Sequence, residues 1–145
     1  NQRVMRSLPF VRPLYPSIAI ESSGYNMFYI DHPDPPWMKP GHKRAVLARL
    51  ESVIEGLPDK GKAERYLSAL RDYLKSIPPE KMAASDIFCL DLVLETGVAF
   101  APSERFYKLG TAPEQVAFRP VMVGDPAGFL EDAKLVGEFL HARLA

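Results

Sequence analysis

Two neighbouring segments in the middle of the chain carry apolar residues at every third or fourth position. The first carries Val46, Leu50, Val53, Ile54 and Leu57, and the second carries Ala63, Tyr66, Leu67, Leu70, Tyr73, Leu74 and Ile77. This spacing places the apolar residues on one face of an amphipathic helix. Gly56 and Pro58 separate the two segments, and Pro78 ends the second one. The pattern therefore predicts a helical hairpin over 43–77.

Two further helices are predicted, over 86–96 and 126–144. The first is apolar on almost every side, which suits the protein interior, and it has Ser85 as its expected N-cap and Gly97 directly after its end. The second follows Asp125, whose carboxylate can cap free N–H groups, and it has one apolar face. Both helices are expected to pack against a sheet.

Short runs rich in aromatic and other apolar residues predict strands at 24–31, 98–100 and 115–123. Prolines interrupt the chain elsewhere. The stretch 8–16 is expected to run extended along the surface, and 32–41, which holds four prolines, is expected to be an ordered loop.

The predicted architecture is a single α+β domain over 1–145, because a chain of this length can bury one core. A small, mostly antiparallel sheet packs on the helices near 86–96 and 126–144. The helical hairpin is expected to be an appendage. Together with the proline-rich loop it forms an insert over 32–84.

The charge and the apolar content of the chain argue against several function classes. Eighteen basic and eighteen acidic side chains cancel, so no positive excess points to nucleic acid or to an anionic membrane surface. No apolar run approaches the roughly 20 residues that cross a bilayer. A single cysteine cannot form an internal disulfide, which fits a reducing compartment. We therefore expect a cytoplasmic protein with neither nucleic acid nor membrane as its partner.

Candidate catalytic and metal-binding residues are sparse. His32, His42 and His141 show no metal-ligand spacing, so no metal site is predicted. Asp31 is badly placed to orient His32 as a general base, because adjacent side chains on a strand point to opposite faces. Cys89 lies in the most apolar helix, where a buried thiol is a poor nucleophile. No residue is therefore assigned as catalytic.

Trp37 and Met38 stand in the proline-rich loop and are candidate interaction residues. Such a loop can present an aromatic side chain to a partner or close over a pocket. The alternative is that Trp37 pins the loop to its own core. The sequence leaves both interpretations open.

Arg119 is the one charged residue in the apolar run 115–123. A buried guanidinium needs a carboxylate or phosphate partner, and that partner could be a substrate. It could also be an acid on a neighbouring helix. In a third arrangement, Arg119 lies at a sheet edge where its head group reaches water.

The motifs around Arg119 follow one another in a distinctive order. They are SSGYNMFYID at 22–31, a helix from Asp86, ETGVAFAPS at 95–103, Phe106, VAFR at 116–119, and a closing helix after Asp125. Together they resemble the C-terminal small domain of fold-type I pyridoxal-phosphate enzymes, the class I/II aminotransferases. In that family a helix leads into "E-x-G-V-x-hydrophobic-x-P-G-x-x-F", a strand with an arginine follows, and a helix closes the domain.

The resemblance implies that Arg119 clamps the α-carboxylate of an amino-acid or 2-oxo-acid substrate by a two-pronged hydrogen bond. It also implies that the Schiff-base lysine, the aspartate facing the pyridine nitrogen and the phosphate-binding loop belong to a large upstream domain. Pyridoxal phosphate is therefore expected only with that domain, and the chain alone is not expected to transaminate. A fragment is the expectation, since the chain begins with Asn1 and not methionine. A homodimer is a further expected partnership.

Two alternatives come from other function classes. One is a stand-alone interaction or regulatory module that uses the hairpin and Trp37, and the other is a small-ligand-binding domain with a pocket between sheet and hairpin. The surroundings of Arg119 distinguish the three hypotheses. In the aminotransferase hypothesis, Arg119 should be half-open toward a missing domain. In the interaction-module hypothesis it should be paired internally, and in the ligand-binding hypothesis it should line a pocket.

Overall fold

The computed structural model describes residues 2–14, 27–58, 61–103, 114–120 and 126–145. Its described helices and strands are named here in chain order. The helices are α1 (Gln2–Ser7), α2 (Pro40–Glu55), α3 (Lys62–Lys75), α4 (Ala84–Thr96) and α5 (Pro126–Leu144), and the strands are β1 (Val11–Pro13), β2 (Phe28–Ile30), β3 (Phe100–Pro102) and β4 (Ala117–Pro120). Two short 3-10 turns, Pro36–Met38 and Pro79–Lys81, precede α2 and α4.

The four strands form one antiparallel sheet in the order β1-β2-β4-β3. Phe28 of β2 pairs with Phe118 of β4, and the rings of Phe28 and Phe100 both stack on Phe118. Phe88 of α4 lies against Phe118 from the helical side, with ring centroids 5.1 Å apart. The predicted α+β fold, a small antiparallel sheet packed on helices, is confirmed.

The helical hairpin is more closely integrated than the sequence suggested. Val46, Leu50 and Ile54 of α2 are buried members of the main core, and α2 packs on α4. Helix α3 contributes Leu74, which is 4% exposed, to the same core, although its Tyr73, expected on the apolar face, is 63% exposed. The expectation that the hairpin is an appendage outside the core was therefore wrong.

Several boundaries also differ from the prediction. Helix α2 begins at Pro40, inside the expected loop, because proline is well tolerated at the first helical position. Ala83, and not Ser85, is the N-cap residue of α4. The N-terminal helix α1 was not predicted at all. The expectations for Gly24, Phe106, 121–123 and Asp125 lie outside the described residues.

Gly97 ends α4 in the left-handed conformation, with φ of 78°, as the sequence predicted. An added Cβ would meet no atom within 4 Å, so Gly97→Ala should lower the free energy of unfolding by about 1 kcal/mol through backbone strain alone. Urea denaturation measures this change. Gly41→Ala is the matched control because it too has open space but lies inside α2. This control should be neutral or stabilising by up to about 0.5 kcal/mol, and equal losses in both variants would contradict the account.

Candidate functional site

Asp91 is a charged residue buried in the core, since it is only 2% exposed. Its Oδ2 accepts hydrogen bonds from Trp37 Nε1 at 2.9 Å and from Arg143 Nε at 3.1 Å, and its Oδ1 accepts one from Arg143 Nη2 at 3.1 Å. His42 Nε2 lies 3.2 Å from the same Oδ2. One carboxylate thus joins the first 3-10 turn, α2, α4 and α5.

A second layer of charge surrounds this centre. Arg143 lies 3.7 Å from the Glu95 carboxylate, and Glu95 also forms an ion pair with Arg49. The Arg143 guanidinium sits over the Phe139 ring, 4.7 Å from its centroid. Asp91 is the only buried charged residue of α4, and Arg143 of α5 neutralises it. Glu95 and Arg49 continue this chain of ion pairs to the protein surface.

Burial raises the pKa of Asp91, but the hydrogen bonds from Arg143 and Trp37 and the positive charge of Arg143 outweigh it, so the pKa is lowered overall. The hydrogen bond to Asp91 correspondingly raises the pKa of Arg143. Asp91 is therefore ionised in the folded protein at neutral pH. The Asp91 network, defined as Trp37, His42, Asp91 and Arg143, stabilises the fold as a charged hydrogen-bonded unit.

The network decides between the two interpretations of Trp37. The indole is fully buried, stacks on Phe139 and meets Phe88 edge-on at 4.8 Å between centroids. Trp37 pins the proline-rich loop to the core and is not an exposed anchor. Met38 is 49% exposed and remains a candidate contact residue.

The histidines and the cysteine have separate surroundings. His32 Nδ1 accepts a hydrogen bond from the Asp34 backbone N–H at 3.0 Å. His42 joins Asp91, which sequence reasoning did not anticipate, and His141 is exposed on α5. Cys89 is buried in α4, as predicted. Within the described residues no group of three His, Cys, Asp or Glu side chains could hold a metal ion.

Arg119 occupies the strand of the sheet that the sequence predicted. It is half-buried, lies opposite Ala101 of β3, and takes part in at least one hydrogen-bonding, ring or electrostatic interaction. Since Phe118 faces the helices, strand alternation turns Arg119 to the other face of the sheet. Ala117 shares the face of Arg119, because the two residues are two positions apart on β4. Tyr29 pairs with Ala117 and with Arg12, so both Tyr29 and Arg12 lie on that face as well.

The chain matches no protein-family model, no curated protein and no solved structure. Among the helices of the described segments, none combines the length and the apolar character that a bilayer span requires.

Two other buried polar groups belong to the structure's framework. Ser85 Oγ accepts hydrogen bonds from the Ala117 backbone N–H at 3.0 Å and from Ser103 Oγ at 3.2 Å, and so ties α4 to β4. Lys43 Nζ donates to the Met82 carbonyl at 2.6 Å, and burial lowers the pKa of this lysine. The prediction that Ser85 is the N-cap was therefore wrong. Its hydroxyl instead accepts a hydrogen bond from β4, which is distant in sequence.

An open apolar groove of about 560 Å³ lies between α1 and α5. Val4 of α1 and Leu8, directly after α1, line one side, and Leu130 and Ala133 of α5 line the other. None of the residues that line this groove belongs to the sheet or the hairpin, between which a ligand pocket was expected. It offers an extended apolar surface bordered by charged side chains.

Proposed function

We propose that this chain is the substrate-clamping domain of a pyridoxal-phosphate-dependent, aminotransferase-like enzyme, with Arg119 binding the substrate carboxylate. One observation carries the proposal. The three motif segments that resemble the family supply β2, β3 and β4, which are neighbouring strands of one sheet with β4 in the middle. Arg119 thus lies on the central strand of the three.

The chemistry of the position supports a carboxylate ligand. A guanidinium presents parallel N–H donors that match both oxygens of a carboxylate, and partial burial strengthens such a pair relative to water. Arg119 is half-buried and turned away from the helices, on the face that also carries Arg12 and Tyr29. An amino acid or a 2-oxo acid is the substrate class that fits this clamp.

We propose no site for pyridoxal phosphate among the described residues, because the resemblance assigns the cofactor-binding groups to a large domain. The buried lysine, Lys43, donates its hydrogen bond to the Met82 carbonyl on the helical side of the molecule. The family's cofactor-binding groups would have to come from a large domain. Activity is accordingly proposed only for a longer polypeptide, and this chain contributes substrate binding.

The test uses the native gene product and two probes, L-alanine and ethylamine, which differ by the carboxylate. Arg119→Ala should weaken L-alanine binding by about 10- to 100-fold and leave ethylamine binding unchanged, because only the carboxylate loses its charged hydrogen bonds. Arg119→Lys should recover part of the loss. Spectroscopic titration of the bound cofactor measures both affinities.

Arg12→Ala is the matched control for this titration. Arg12 shares the sheet face with Arg119, but its side chain is about half exposed and lies 3.8 Å from Asp31. Its removal should change L-alanine binding by less than about twofold. Equal effects of Arg119→Ala on the two probes would contradict a carboxylate clamp.

A second function, the stand-alone interaction or small-ligand-binding module, is favoured by the groove between α1 and α5. An open apolar surface beside exposed Leu130 is typical of a docking site. In that case the native product would not bind pyridoxal phosphate. Arg119 would then have a structural role.

A further inference from the structure

The surface that borders the groove on α5 combines apolar and charged side chains. Leu130 is 56% exposed and lines the groove together with Val4 and Leu8. Gly137 of α5 lies beside Leu8, since an added Cβ would be 3.4 Å from Leu8 Cδ2. The result is a shallow apolar strip along α5 that the described part of the chain leaves uncovered.

Two opposite charges lie on this strip, one turn apart. Lys134 and Glu138 both line the groove and are exposed, and within the described residues neither makes an ion pair or a side-chain hydrogen bond. A lysine that precedes a glutamate by four residues is the weaker order for a pair within a helix. Both charges are therefore available to an external partner.

The pattern is complementary to itself. Consider two copies of α5 that pack antiparallel, related by a two-fold axis at the level of Val136. A residue that lies a given number of positions before Val136 in one copy is then opposite the residue that lies the same number of positions after Val136 in the other copy. Lys134 of each copy then lies level with the partner's Glu138, which gives two equivalent ion pairs. The apolar strips of the two copies meet beside them.

We propose that the groove-lining face of α5 is a homodimer interface, with Lys134 of each copy paired to the partner's Glu138. The occupant of the groove is a second copy of this chain. In an antiparallel copy the order of the lysine and the glutamate is reversed, so that each charge on the strip meets its opposite. The surface is small and partly polar, so the dimer is weak and sensitive to salt. This inference does not depend on the role of Arg119.

Sedimentation velocity on the 145-residue chain tests the proposal, at low and high salt and at concentrations up to about 500 µM. Wild type should dimerise at low salt. Lys134→Glu and Glu138→Lys should each raise the dissociation constant by about tenfold, since two attractive pairs become two repulsive ones. The double variant carrying both reversals should return to within about threefold of wild type.

Asp132→Lys is the control, because it makes the same charge change as Glu138→Lys at an exposed position on another side of α5. Its dissociation constant should match wild type, and circular dichroism verifies that every variant is folded. A wild type that stays monomeric at all concentrations would overturn the proposal. So would a double variant that is no better than the two single reversals.

Discussion

Trp37→Ala should lower the free energy of unfolding by about 3–5 kcal/mol, the range for removing a large aromatic side chain from a packed core. The indole is fully buried between Phe88, Phe139 and His42. Its loss leaves a cavity and removes one hydrogen bond to Asp91. Urea denaturation followed by circular dichroism measures the change, since the variant has no tryptophan to report by fluorescence.

Met38→Ala is the neighbouring control, because Met38 follows Trp37 directly but is half exposed. It should change the free energy of unfolding by less than about 0.5 kcal/mol. Trp37→Phe should fall between the two, since it keeps most of the packing but not the N–H donor. Similar small losses in all three variants would mean that the proline-rich loop does not belong to the core.

Asp91→Asn should cost about 3 kcal/mol of unfolding free energy, near the lower end of the range for breaking a buried ion pair. The substitution keeps the shape of the side chain but leaves the Arg143 guanidinium without its carboxylate. Glu95, 3.7 Å from Arg143, offsets part of this loss. Asp72→Asn, at an exposed site beside Arg71, is the control and should cost less than about 1 kcal/mol.

The pH dependence of stability provides an independent readout of Asp91. Because its pKa is lower in the folded state, its contribution is present above the unfolded value of about 3.9 and is lost as pH falls through the folded value. Wild type should therefore lose stability below about pH 4 more steeply than Asp91→Asn. Identical acid profiles for the two proteins would exclude a stabilising Asp91 carboxylate.

Individual helices of this fold could be predicted because each has a recognisable pattern within its own stretch of sequence. Apolar residues spaced by three and four predicted α2 and α3, and Gly97 predicted the end of α4. The core membership of α2 could not be predicted, since the periodicity of a helix identifies its apolar face but not what covers it. Short strands such as β1 carry too few residues for a clear pattern.

The Asp91 network could not be predicted because its contacts join residues 49 to 54 positions apart. The sequence did hold one signal. Asp91 is the single charged residue in the apolar run 87–94, and a charge that is forced into a core requires a partner. The partner Arg143 stands on the last turn of α5, where it resembles an ordinary surface residue.

The mass and absorbance of the native gene product, isolated from its source cells, test the proposed function most directly. The account predicts a yellow protein with bound pyridoxal phosphate and at least about twice the 16.2 kDa of this chain, because the large domain must be present. A native product of 16.2 kDa that stays colourless with added pyridoxal phosphate would contradict the account.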